Sequence, residues 1–182
     1  MSKRSITTER LILHALRERD AEALTALADN YKVAIMLSRL PYPYTIAHAR
    51  SFIAWAKDQP ADETVFAIYL KDMAQTFIGI ASCERREAVE PELGYWLGEP
   101  YWGRGYMSEA VGAVVAHAFT EGRHERLISG CRLQNLASRR VLEKAGFEHA
   151  GRYEIDSLLL KTKVPGHRFS LSGERWKGLA AA

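Results

Sequence analysis

The 182-residue sequence contains little cysteine and no long apolar run. Its two cysteines, Cys83 and Cys131, belong to no Cys-x-x-Cys pair or Cys/His cluster, which argues against a disulfide framework and against a metal site. No apolar stretch of about 18 residues or more is present, so we expect no membrane span. No apolar signal-peptide core follows Met1 either. The sequence therefore predicts a cytoplasmic protein without a structural metal.

The overall composition is that of an ordinary globular chain. Hydrophobic residues make up 47% and charged residues 26% of the sequence, which excludes a disordered or collagen-like chain. The length suits one domain of typical size. We therefore expect residues 1–182 to form a single domain.

Positive charge is concentrated in one part of the chain. Between Gly122 and Lys144 six basic residues stand against two acidic ones, although the whole chain has a net charge of only +3. A local positive field of this kind suits a compact polyanion. A nucleic-acid surface is the alternative, but aromatic residues are not interleaved with these basic residues, as stacking on bases requires. We expect no direct nucleic-acid role.

Hydrophobic periodicity predicts a mixture of strands and helices. Seven strands are expected near residues 11–16, 65–70, 77–82, 92–97, 126–132, 147–160 and 167–171. Four helices are expected over residues 21–29, 46–58, 106–120 and 137–145. Asp20 and Thr45 are expected to cap the first two helices, and Gly146 to end the fourth. The strand–helix–strand run over residues 92–132 has the length of a crossover between parallel neighbours. The sequence thus predicts an α+β fold with a mixed, mostly antiparallel sheet of about seven strands and helices on both faces.

A glycine pair stands between a predicted strand and the strongest predicted helix. Gly103-Arg104-Gly105 lets the chain turn sharply, and free N–H groups at the following helix start can bind a phosphate. A plain tight turn is the alternative interpretation. The segment is no Walker loop, and it is a poor dinucleotide fingerprint because the third glycine would fall at Ser108.

A second motif runs from Asn135 through Ser138 to the sequence Glu-Lys-Ala-Gly-Phe ending at Phe147. It resembles the coenzyme A side of the GNAT superfamily of N-acetyltransferases. Residues 92–110 resemble that superfamily's pyrophosphate-binding motif and its preceding strand, with Pro100 standing where the family pattern has Gln or Arg. Because backbone N–H groups after Pro100 would hold the phosphates, we expect the site to tolerate this departure.

The two ends of the chain carry a narrower resemblance. The opening Thr8-Glu9-Arg10-Leu11 and the C-terminal hairpin are similar to the Rim-type branch, which acetylates the N-termini of ribosomal proteins. The resemblance covers about residues 7–177 and implies a GNAT-like fold.

The resemblance implies that acetyl-CoA, as co-substrate, lies between splayed parallel strands at residues 92–97 and 126–132. Pantetheine would pair with the strand edge near Tyr95, and the pyrophosphate would meet the N–H groups of the glycine turn, with Arg104 and Arg139 adding charge. The implied coenzyme-binding residues are Tyr95, Trp96, Leu97, Trp102, Gly103, Arg104, Gly105, Tyr106, Met107, Asn135, Ser138 and Arg139.

The implied reaction is direct attack of a neutral amine on the thioester. A protein α-amine has a pKa near ~8, against ~10.4 for a lysine side chain, and therefore needs less help from a base. Glu92 is the first candidate general base, directly or through water, and Asp156 is the second. Ser138 is the candidate acid for the departing thiolate; a helix cap is its alternative role.

The acceptor and the assembly remain open at this point. Candidate acceptors are a protein N-terminal α-amine, for instance of a ribosomal protein, and a small-molecule amine. A non-catalytic acyl-CoA-binding sensor or scaffold would carry the same motifs. Both a monomer and a homodimer are compatible with the sequence.

Overall fold

The computed structural model describes residues 5–60, 63–72, 74–85 and 90–181. Within these ranges one sheet contains eight strands. They are β1 (Ser5–Thr7), β2 (Leu11–Ala15), β3 (Thr64–Leu70), β4 (Phe77–Glu84), β5 (Glu92–Leu97), β6 (Arg126–Arg132), β7 (Glu148–Ser157) and β8 (Thr162–Ser172). The helices are α1 (Ala21–Ala28), α2 (Tyr31–Ala34), α3 (Ile46–Lys57), α4 (Tyr106–Thr120), α5 (Leu136–Lys144) and α6 (Gly173–Ala180). Short 3-10 turns lie at Glu18–Asp20 and Glu99–Tyr101.

The strand order is β1-β2-β3-β4-β5-β6-β8-β7. Strands β5 and β6 form a parallel pair joined through α4, whereas every other neighbouring pair is antiparallel. The predicted crossover and the mostly antiparallel sheet are therefore confirmed. The sheet has eight strands rather than about seven, because the short exposed strand β1 was not predicted.

Helices pack on both faces of the sheet, as predicted. Strand β3 is buried along almost its whole length, and its side chains alternate between two apolar clusters. Phe66 and Ile68 join the cluster that includes α4, so we call this side the α4 face. Val65 and Tyr69 join the cluster that includes α1 and α3, so we call the opposite side the α3 face.

The predicted helix ends are partly correct. Thr45 caps α3 by accepting a hydrogen bond from the N–H of His48, and Gly146 follows α5 in the left-handed conformation with φ of 92°. Asp20 occupies the predicted N-cap position of α1, but the predicted cap bond is wrong: its carboxylate accepts from Arg17 N at 2.7 Å and makes no cap bond to α1. Asp20 closes the preceding 3-10 turn in a helical conformation, so its side chain points back to the start of that turn.

Two helices, α2 and α6, have no counterpart among the predicted elements. Helix α2 is only four residues long, too short for a periodic pattern, and is capped by Asn30, whose side chain accepts from Lys32 N at 2.9 Å. None of the helices within the described ranges is long and apolar enough to span a membrane.

Candidate active site

The parallel strands β5 and β6 separate almost as soon as they meet. Their one register pair joins Glu92 and Ile128, where Ile128 N donates to Pro91 O at 3.0 Å. One step further, the buried Ser129 hydroxyl donates to Leu93 O at 2.8 Å, so a side chain takes the place of the next backbone bond. A cleft of about 2170 Å³ opens beyond this point. The predicted splay of the parallel pair is confirmed.

The separation exposes a short edge of backbone polar groups on β5. Gly98 N donates to Ile78 O of the neighbouring strand, so alternation directs the backbone of Trp96 toward β4 and that of Tyr95 and Leu97 toward β6. Leu97 O accepts the indole N–H of Trp102 at 2.8 Å. The open edge therefore consists of the N–H and C=O of Tyr95 and the N–H of Leu97. Of the implied coenzyme contacts on β5, Trp96 can offer only its side chain.

A concentration of N–H donors lies where this edge ends. Gly103 and Gly105 adopt positive φ of 72° and 79°, and α4 begins directly after them. Glu109 N is the first amide to bond back to Gly105 O. Within the described part of the chain, the amides of residues 103–108 donate to no protein acceptor. Trp102 is not part of this set, because its amide already donates to Glu99 O at 3.2 Å.

One carboxylate ties this glycine turn to the start of the chain. Glu109 accepts hydrogen bonds from the Thr8 hydroxyl at 2.6 Å, from Arg10 N at 2.8 Å and from Arg10 Nε at 2.7 Å. The same Arg10 guanidinium donates to Arg104 O at 3.0 Å. Burial opposes ionisation of Glu109, but the bonds from Thr8 and Arg10 outweigh it and lower the pKa of this carboxyl. The Thr8–Arg10 segment thus fixes the turn in place.

The two arginines implied as phosphate contacts are not turned into the cleft. Arg139 Nε pairs with Glu143 at 2.7 Å along the exposed side of α5, and this partner raises the pKa of Arg139. Arg104 is exposed in the turn, and its backbone carbonyl accepts a hydrogen bond from the Arg10 guanidinium. Gly103, Gly105 and Arg140 line the cleft, whereas Arg104 and Arg139 do not.

A pair of hydroxyls lies across the cleft opening from β5 to α5. Tyr95 Oη is 2.8 Å from Ser138 Oγ and donates to Ser138 O at 3.1 Å. Burial raises the pKa of Tyr95 above its ordinary 10.0, so the phenol keeps its proton. Asn135, not Ser138, caps α5, accepting Ser138 N at 3.1 Å. The thiol of Cys131 lies in the same region. Burial raises its pKa, and the contact with Ser138 opposes this shift without cancelling it.

Two carboxylates stand on the opposite, α3 face of the sheet. Glu92 shares this face with Trp96, since Leu93 and Leu97 point to the α4 cluster. Glu84 is its direct partner on β4, is 1% exposed, and accepts the Ser82 hydroxyl at 3.0 Å.

Sequence reasoning missed Glu84 because the predicted strand ended at Ser82. The register of β4 against β5 is what brings the two carboxylates together. Asp156, the second candidate base, is exposed on β7 and alternates with the partly buried Tyr153 and Ile155. Alternation therefore directs it to the other side of β7 from those two residues, although it still lies among the residues that line the cleft.

Tyr153 closes the floor of the cleft beside these carboxylates. A Cβ at Gly130 of β6 would overlap the Tyr153 hydroxyl, so only glycine leaves room for the phenol there. The Arg168 guanidinium carbon lies 3.9 Å from the Tyr153 ring centroid. Burial raises the pKa of Tyr153 to about 12, with Arg168 opposing the shift and Glu92 adding to it. Neither Tyr153 nor Arg168 carried a sequence signal.

The cleft is roofed on the α3 side by two segments that touch. Leu158 N, just after β7, donates to Ser38 O at 2.8 Å, and the Arg132 guanidinium donates to Ile35 O after α2. The cleft therefore extends from the free amides at the start of α4 to the space under this roof. We call the first part the coenzyme side and the second part the acceptor side.

These features together define a class of site. An extended ligand with phosphates suits the free amides at the glycine turn, and the open strand edge can pair with amides along its length. The far end of such a ligand would meet the Tyr95–Ser138 hydroxyl pair, and the Glu92 and Glu84 carboxylates would lie on the other side of the sheet. This arrangement fits an acyl-thioester coenzyme and a base that serves a second substrate.

Comparison with known proteins gives the family. The model of the acetyltransferase (GNAT) domain matches residues 10–148. The probable N-acetyltransferase YjcK of Bacillus subtilis is 48% identical over 59 residues, which is about a third of either chain (32% and 33%). The ribosomal-protein-serine acetyltransferase of Escherichia coli is 34% identical over 85 residues, or 46% of each chain.

A solved structure extends the likeness to nearly the whole chain. RimL, a ribosomal α-N-protein acetyltransferase in complex with coenzyme A, is similar with a TM-score of 0.78 and 21% identity, covering 93% of this chain and 98% of that one. The chain belongs to the GNAT acetyltransferase family. It is an acetyl-CoA-dependent N-acetyltransferase.

Proposed function

We propose that the enzyme acetylates a protein N-terminal α-amine. The observation that carries this proposal is the position of the Glu92 and Glu84 carboxylates, which pair across β5 and β4 and line the cleft beside the point where β5 and β6 separate. An α-amine has a pKa of ~8, so part of it is already neutral at neutral pH. It therefore needs less help from a base than a lysine side chain does. The E. coli relative named for acetylating ribosomal-protein serine gives independent support. A small-molecule amine is the second candidate acceptor.

Acetyl-CoA supplies an acetyl thioester, whose carbon–sulfur bond breaks as the amine nitrogen bonds to the acetyl carbon. We assign the general-base role to Glu92, directly or through water, because it is partly exposed on the α3 face and lines the cleft. Glu84 is almost fully buried and held by Ser82, so we assign it the task of positioning Glu92 or the intervening water. The proton taken from the amine leaves through Glu92.

The departing thiolate needs a proton from the other side. Ser138 keeps its predicted role as donor, and Tyr95 joins it because the two hydroxyls are 2.8 Å apart. The free amides of residues 103–108 would hold the pyrophosphate, and the open N–H and C=O of Tyr95 would hold the pantetheine arm.

The test compares Glu92→Gln and Glu84→Gln with wild type on two matched peptides. One peptide has a free N-terminus and no lysine; the other has a blocked N-terminus and one lysine, and products are located by mass spectrometry. We expect acetylation at the free N-terminus. We expect Glu92→Gln to lower kcat by about 10²-fold, the lower end for a general base, and Glu84→Gln to lower it less.

The control is Glu121→Gln, an exposed carboxylate at the far end of α4. It should retain wild-type rates. Acetylation of the lysine peptide alone would refute the α-amine assignment, and full activity of Glu92→Gln would refute its role as base. Tight coenzyme binding without transfer to any amine would favour the non-catalytic alternative.

A further inference from the structure

The floor of the acceptor side is a row of four residues across the sheet. Ser82 pairs with Gly94 between β4 and β5, and Gly130 pairs with Arg168 between β6 and β8. All four lie on the α3 face, since their neighbours in sequence point to the α4 cluster. Two glycines stand in the middle of the row; the Tyr153 phenol occupies the space over Gly130, and Arg168 stands beside it at one side of the floor.

Among the described arginines and lysines that line the cleft, Arg168 alone is partly buried, whereas the others are exposed. Lys163 has Glu154 at 3.7 Å, and Arg132 donates to a backbone carbonyl of the roof. Arg168 is partly buried, lines the cleft and stacks on the Tyr153 ring at 3.9 Å. Among the residues that the structure describes, no carboxylate comes within ion-pair distance of its guanidinium.

Among the described residues, no protein acceptor takes a hydrogen bond from the guanidinium of Arg168. A partly desolvated cation normally recovers its lost hydration from a carboxylate or phosphate partner. The Tyr153 ring compensates one face of the guanidinium but accepts no hydrogen bond from its N–H edges. Those donors are therefore available to an anion that enters the cleft.

We propose that Arg168, held by Tyr153, binds a carboxylate of the acceptor and selects peptides with an acidic side chain at the first or second residue. The inference rests on the proposed protein acceptor. Glu92 stands one row away on the same face, about 7 Å along the strand direction, and β5 and β8 are two strand spacings of about 4.8 Å apart. That span suits a side chain near the peptide terminus better than the α-carboxylate of a free amino acid, which lies next to the amine.

The test uses two C-terminally amidated peptides that differ in one atom group, Ser-Asp-Ala-Ala and Ser-Asn-Ala-Ala. We expect wild type to favour the Asp peptide by about 10-fold or more in kcat/KM, the range of a charge-assisted hydrogen bond. Arg168→Gln should raise KM for the Asp peptide until the preference disappears, while the Asn peptide changes less than about twofold. Arg168→Lys should keep part of the preference, since it keeps the charge but loses the planar fork.

The matched control is Lys177→Gln, which removes the same charge from the exposed surface of α6 outside the cleft. It should retain the wild-type preference. Equal rates of wild type on the two peptides, or an equal loss on both in Arg168→Gln, would overturn the proposal.

A parallel assay with aspartate and its diamide separates the two possible failures. Acetylation of neither peptide but of free aspartate, with loss of that activity in Arg168→Gln, would overturn the protein acceptor and the peptide selectivity while showing that Arg168 binds a carboxylate. Acetylation of both peptides without a preference would leave the protein acceptor intact and overturn only the role of Arg168.

Discussion

Tyr95 and Ser138 illustrate how a site depends on single hydroxyls. Replacing Tyr95 by Phe removes a donor that sits 2.8 Å from Ser138 Oγ, and replacing Ser138 by Ala removes its partner. We expect either change to lower kcat by about 2- to 10-fold, because one hydrogen bond contributes about 0.5–1.5 kcal/mol and the second hydroxyl remains. The double variant should lose more than either single one.

Steady-state kinetics with saturating acceptor checks this expectation. The KM for acetyl-CoA should change little, because neither hydroxyl lies at the glycine turn. A large rise in that KM with unchanged kcat would assign the pair to coenzyme binding instead of proton donation.

Single site residues can be predicted from the sequence where they belong to a motif. Residues that reach the cleft only because of how two strands are paired cannot. Glu92 and Ser138 were candidates from the sequence because they belong to segments similar to a known family. Glu84, Tyr153 and Arg168 belong to no such segment and reach the cleft only through strand pairing. The cap of α5 was also misassigned, since Asn135 and not Ser138 accepts the free N–H at the start of the helix.

Among the secondary-structure elements, the start of α4 depends on a contact with the turn before β2. Glu109 is tied to Thr8 and Arg10, residues about 100 positions away in the sequence. We expect Glu109→Gln to raise the KM for acetyl-CoA several-fold with kcat nearly unchanged, because the amides of the glycine turn lose their fixed orientation. Glu121→Gln is the matched control on the same helix. An unchanged KM in Glu109→Gln would mean that the turn keeps its shape unaided.

The same contact has a defined dependence on pH. The pKa of Glu109 is lowered from 4.5, so the folded state holds this proton less tightly than the unfolded chain does. Its stabilising contribution is therefore complete above about pH 4.5 and is lost as the pH falls through the lowered value. Thermal unfolding of wild type and Glu109→Gln should differ at neutral pH, and the difference should shrink as the pH falls below 4.5.

The long elements were predictable and the short ones were not. Helix α4 and strands β3 to β6 carry strong apolar periodicity because both sides of the sheet are covered. Strand β1 has three residues and α2 has four, so neither offers enough positions to show a period. Asp20 met the composition rule for a cap but was already used by the preceding turn.

For the whole molecule, the site exists only because distant segments meet across the parallel pair. The coenzyme side draws on β5, α4 and α5, and the acceptor side on β4, β7, β8 and the roof after α2. Sequence reasoning reached the coenzyme side, since its groups are backbone amides in compact motifs. The acceptor side is built from single side chains spread over the chain, and apart from Glu92 its residues were identified only from the fold.

Coenzyme binding should stabilise the whole molecule. A ligand present at 100 times its Kd adds about 2.7 kcal/mol to the free energy of unfolding, and for a domain of this size each kcal/mol raises Tm by about 2–4 °C. Acetyl-CoA and coenzyme A should therefore each raise Tm by roughly 5–11 °C in a thermal melt. NADH should raise it far less, because it has a pyrophosphate for the glycine turn but no pantetheine arm for the open edge at Tyr95. Since dephospho-coenzyme A retains both groups, its shift should stay close to that of coenzyme A. An equal shift with NADH would mean that the glycine turn alone governs binding and that the splay of β5 from β6 contributes nothing.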